Sequence, residues 1–212
     1  MKISLLILSF QLVAVIASGQ SLRFEYAPIH YHSRPVTNSI SQLSEKQLSY
    51  EPQQGYLKSV LNALDISPSS QVLVFSSTSF QKNKITPKSP RAIYFNDTNY
   101  VGWIPGADLL EIISIDPFLG PVFYDIKQDP APGLKIARNN RDCLDCHSSA
   151  KTQSVPGLFI RSSYPKGGGR VAGRTTSHQT DFAERWGGWY VTGQTGGINH
   201  RGNQPVTPQE TD

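Results

Sequence analysis

Two spacings of apolar residues organise the chain. Leu57, Val60, Leu61 and Leu64 stand at i, i+3, i+4 and i+7, one face of a helix that Pro52 can open and Pro68 should close. Beyond it the period shortens to runs rich in Val, Ile, Phe and Tyr, at 72–75, 92–95, 100–104, 109–115 and 122–126. Turn clusters separate them: residues 96–99, Pro105 with Gly106, and Asp116 with Pro117. The pattern predicts an antiparallel meander covered by the helix. Further on, polar residues 138–142 can cap a short helix over 143–148, and 157–164 and 189–192 read as strands. Between those two runs lie a flexible loop at 167–169 and a helical turn at 181–185. The Asn96, Asp97, Thr98 match to a glycosylation acceptor carries no functional weight, because such three-residue patterns are frequent.

The first nineteen residues follow a different rule. Lys2 supplies a short positive region, 5–17 is apolar apart from Ser9 and Gln11, and Ala17, Ser18, Gly19 is a small-residue cleavage pattern. Residues 1–19 are therefore expected to be a signal peptide, cut before Gln20. Their apolar run falls short of the roughly 20 residues of a bilayer span, and no later segment approaches that length, so no integral membrane segment is expected after cleavage. Residues 20–50 are polar and irregular, with Pro28, Pro35, His30 and His32, and read as an extended N-terminal arm. Losing Lys2 leaves 19 cationic against 16 anionic side chains. With no basic run and no Lys/Arg stripe interleaved with aromatics, this mild excess gives no reason to expect a nucleic-acid partner.

Chemistry enters at Cys143, Leu144, Asp145, Cys146, His147, a CxxCH run containing both cysteines of the chain. Two thiols three residues apart on a helical turn can each add to one vinyl group of haem, and the adjacent histidine can then ligate the iron. A zinc tetrahedron lacks further cysteines here, and a redox pair does not need the histidine. Covalent haem c is the expected cofactor, and it agrees with export, since haem is attached to reduced thiols outside the cytoplasm. A periplasmic or secreted protein is expected.

Tyr94 through Asn96, then Tyr100, Val101, Gly102, Trp103, then the CxxCH run, and above all Glu184, Arg185, Trp186, Gly187, Gly188, Trp189, Tyr190, Val191, Thr192, Gly193 resemble a group of exported bacterial proteins that carry a single cytochrome c motif. The resemblance spans 72–203 and implies haem c and export, without an activity. About 120 residues of the mature chain precede the motif, and a glycine- and strand-rich stretch follows it. The expected fold is thus α+β, an antiparallel β-rich single domain with a few short helices and a covalently attached haem, and not the small all-helical cytochrome c fold. Residues 51–203 would form this haem-binding domain and 204–212 a polar tail.

The only methionine is Met1, so methionine cannot be the second axial ligand once the signal is removed. His178, in a glycine-flanked loop, and His200, between Gly197 and Gly202, are the candidate distal ligands; His30, His32, another nitrogen donor and an open site are the alternatives. Trp186 and Trp189 are expected to wall the haem or to form a buried strand. Arg185, with Arg161, Arg170 and Arg174, is a candidate partner of haem propionates. Two function classes follow: a monohaem electron-transfer protein with a redox partner protein, and a haem enzyme or sensor with an exchangeable sixth site. Haem as a structural staple in a scaffold protein is a third. A single CxxCH excludes a self-contained multihaem enzyme.

Overall fold

In the computed structural model the described residues are 23–43, 47–130, 134–139, 141–164 and 176–204. The expected signal peptide, the 167–169 loop with Arg170 and Arg174, and the tail from 205 lie outside them.

Alternation along the strands builds the fold. β1 (Val72–Val74), β2 (Arg91–Phe95), β3 (Asn99–Trp103), β4 (Leu109–Asp116), β5 (Gly120–Lys127) and β6 (Ile136–Arg138) form one six-stranded sheet in sequence order, each strand antiparallel to its neighbours. The register sets Tyr94 beside Val101, Val101 beside Ile112, and Ile112 beside Tyr124. Because successive residues point to opposite faces, Ala92, Tyr94, Val101, Leu110, Ile112, Val122, Tyr124 and Ile126 share one buried face. They join one apolar cluster with Leu57, Val60 and Leu61 of α1 (Leu57–Ala63) and with Leu64 at its end. The expected helix and meander are therefore both present, in an α+β arrangement that is not all-helical. Among the described residues, no helix is long and apolar enough to cross a membrane.

The Asn96, Asp97, Thr98 site has a structural use. The Asn96 amide donates to the Leu64 carbonyl at 2.9 Å, while its oxygen accepts from the Thr98 and Asn99 amides, tying the β2–β3 turn to the end of α1.

The segment expected as an extended arm is folded into the core. Phe24, Tyr31 and Ile40 belong to the main cluster, and Tyr31 is fully buried with its hydroxyl donating to the Pro121 carbonyl at 2.6 Å. Arg138 reaches back from β6 to the Tyr31 and Arg34 carbonyls, and Asp116 accepts from the Thr37 amide. The sequence hid this because the buried residues follow neither helical nor strand spacing.

Two expected strands, 157–164 and 189–192, are not regular strands. Side chains stand in for ladder partners: Ser162 Oγ accepts from the Phe75 amide at 2.9 Å, beside the backbone bond from the Ser163 amide to the Phe75 carbonyl. Likewise the Asn203 amide group bonds both N and O of Val191. These segments frame a second, smaller apolar cluster of Phe75, Ile85, Ile104 and Ala107, against which Tyr164 and Tyr190 pack.

Candidate functional site

The opposite face of the sheet carries the site. Arg91 and Ile93 of β2, Tyr100 and Gly102 of β3, Glu111 and Ile113 of β4 and Phe123 of β5 all point that way and line a cavity of about 410 Å³, within the usual span of small-molecule and cofactor sites. Its other walls are Cys143, Cys146 and His147, the run 158–161, and the loop residues Ser79 and Phe80. Phe80, Leu158 and Ile160 line it and yet stay exposed.

Local bonding explains how the CxxCH run reaches this wall. The Asn139 amide continues the β6 edge by donating to the Phe123 carbonyl, and its side chain accepts from the Asp142 amide at 3.1 Å, turning the chain. The four-residue helix α2 (Leu144–His147) follows at once, pinned by buried Leu144 in the main cluster. Cys143 and Cys146 are unpaired thiols, both partly buried.

His147 is held on three sides. Its ring lies 4.7 Å from the Phe123 ring and 6.4 Å from that of Phe159. Its Nδ1 is 2.9 Å from the Gly157 carbonyl, while its own carbonyl accepts from the Gly157 amide at 2.8 Å. A carbonyl only accepts, so Nδ1 carries the hydrogen, and Nε2 of the neutral ring is left with its lone pair. Burial lowers the pKa of this imidazole, and the Arg91 charge adds to the effect against the opposing pull of the Gly157 bond. A neutral imidazole with its other nitrogen fixed by a carbonyl is the form that ligates metals.

The Cys143 thiol is pushed up to about 12, by burial first and then by the charges of Asp125, Glu111 and Asp142. Redox-active CxxC pairs work through a thiolate of lowered pKa. The surroundings of Cys143 do the opposite.

Across the sheet-side wall runs an ion pair. Arg91 Nη2 donates to Glu111 Oε2 and to Ser79 Oγ, and burial raises the Glu111 pKa against the neighbouring Arg91 charge. Gly102 sits between the two strands they occupy. Sequence reasoning missed this pair, although alternation from the buried residues would have put Arg91 and Glu111 together on the outward face.

Most of the other expected site residues lie elsewhere. Arg161 lines the cavity; Arg185 does not, its Nε and Nη2 donating to the Thr180 and His178 carbonyls. Exposed His178 and half-buried His200, whose Nδ1 accepts from the Gly202 amide, are outside the cavity lining. So are His30 and His32, the latter packed on Phe24 and Tyr31. Trp186 and Trp189 meet edge to face at 6.3 Å away from the cavity wall. Among the described residues, no three His, Cys, Asp or Glu side chains are grouped to hold a metal ion.

The chain matches no protein-family model, no curated protein and no solved structure.

Proposed function

We propose that the protein is an exported monohaem c-type cytochrome that carries electrons, with haem c bonded through Cys143 and Cys146 and its iron held by His147. One observation carries this reading: two unpaired thiols and an imidazole with a fixed Nδ1–H share one wall of a cavity of cofactor size. The high pKa of the Cys143 thiol argues against a redox dithiol, and a lone imidazole suits iron that arrives already held in a macrocycle. Bound haem would supply one-electron chemistry. The chain's own part is to hold the imidazole neutral and oriented through Gly157, to press Phe123 and Phe159 against it, and to keep water from that side. A redox partner protein would exchange the electron.

A second reading, a haem enzyme or sensor with an exchangeable sixth site, is favoured by one placement: of the five histidines, all within the described residues, His147 alone lines the cavity.

Expression in exported form together with haem-attachment machinery tests both. Haem that resists acid extraction from the intact chain, and is lost in Cys143→Ala/Cys146→Ala, is the expected result; a wild-type chain without covalent haem overturns the proposal. Low-spin iron indifferent to carbon monoxide supports the carrier, whereas high-spin iron that binds it readily selects the second reading.

A further inference from the structure

Haem attachment leaves the sheet-side wall of the cavity without a role. Arg91 lies in that wall with its side chain only 14% exposed. One end of the guanidinium is engaged by Glu111 and by Ser79, the latter at 2.6 Å. Its Nε is buried and has no hydrogen-bond partner among the described residues. A buried donor of this kind calls for an acceptor, and a guanidinium fork is best matched by a carboxylate. The remaining wall states what else the guest must be: Ile93, Ile113, Phe123 and Leu158 ask for a large apolar body. An apolar macrocycle with carboxylates on its edge meets both demands.

The geometry points to Arg91 as the residue that receives a propionate carboxylate of the bound haem, with Glu111 as the positioning residue that holds its guanidinium. This rests on the haem reading above and assigns a group that the CxxCH motif leaves open. Glu111 and Ser79 both hold Nη2, so the guanidinium that lines the cavity is ordered before its ligand arrives. Arg161, in the same lining, offers a second cation at the cavity.

The test is the resonance Raman spectrum of the covalently loaded protein, read at the propionate bending band. The double variant Arg91→Met/Glu111→Leu removes the guanidinium without stranding a buried carboxylate, an exchange that folded proteins commonly tolerate. Its band is expected to shift to the position of an unbonded propionate. Arg91→Lys should give an intermediate shift, since an ammonium keeps the charge and loses the fork. Arg185→Gln, an arginine bonded to carbonyls outside the cavity, should leave the band unchanged. Glu111→Gln keeps Arg91 and should strengthen its bond to the propionate, displacing the band in the opposite direction. Loaded variants of Arg91 and Glu111 with the wild-type band overturn the assignment and leave the haem reading standing. A wild-type chain that takes up no covalent haem overturns the haem reading itself, and this assignment with it.

Discussion

Gly157 is the residue whose replacement most directly tests how His147 is oriented. A Cβ at this position would lie 2.8 Å from Thr152 Cβ and 3.0 Å from Thr152 Cγ2, closer than carbon atoms pack. Thr152 cannot swing aside, because its Oγ1 donates to the His147 and Ser149 carbonyls, both at 3.1 Å, and its backbone belongs to the turn Ala150–Thr152. The strain must therefore fall on the 157 backbone, whose N–H and C=O are the two groups bonded to His147. Overpacking of this kind costs about 1–3 kcal/mol, and weakening the imidazole bond adds about 1 kcal/mol. The reduced freedom of the unfolded alanine chain returns about 0.4–1 kcal/mol. Gly157→Ala is expected to lose about 2 kcal/mol in urea denaturation, with an unchanged m-value.

The cause can be isolated with Thr152→Gly, which removes the opposing Cβ. The double variant should recover about 1.5 kcal/mol relative to the sum of the singles. Thr152→Ser keeps the 2.8 Å contact and both hydroxyl bonds, so it should give no comparable recovery. Gly157→Ala as stable as the parent, or equally harmful in the Thr152→Gly background, would refute the reasoning.

Two further expectations concern the N-terminal segment. Asp116, only 2% exposed, accepts from the Thr37, Phe118 and Leu119 amides; burial alone would raise its pKa, but these bonds outweigh it and hold the carboxyl below its ordinary range. Its stabilisation is thus complete above the unfolded carboxyl pKa of about 3.9 and is lost as pH falls through the lower folded value. Asp116→Asn should cost about 2 kcal/mol at pH 7, and its deficit should shrink once pH drops below about 4; a deficit unchanged down to acid pH would count against the ionic origin. Tyr31→Phe strands the Pro121 carbonyl and should cost about 1–2 kcal/mol in the same assay. A neutral result would mean that residues 23–43 are not anchored to the sheet in solution.

Much of the sheet was legible because alternation is a local signal. Ala92, Tyr94, Leu110 and Ile112 announce their own faces, and Leu57, Val60 and Leu61 announce a helix, with no knowledge of the partners they bury against. β6 escaped because its three residues are too few to establish a period. The strands expected at 157–164 and 189–192 have the right composition, but the hydroxyl of Ser162 and the amide of Asn203 occupy positions that a ladder would need. Composition does not report such substitutions.

The site divides along the same line. Chemistry that depends on neighbours in the chain was determined by the sequence alone: Cys143, Cys146 and His147 stand at a spacing that one helical turn converts into a cluster. Groups that meet only across strands were decided by the tertiary structure. Arg91 and Glu111 are twenty residues apart and become a pair because β3 is laid between their strands in one register. Gly157 becomes the orienting partner of His147 because the intervening turn closes back on it. Trp186, Trp189, His178 and His200, expected to wall the haem or ligate its iron, lie outside the cavity lining. Local spacing determines which groups a turn can gather; strand register and loop closure, set by burial over the whole chain, determine what those groups face.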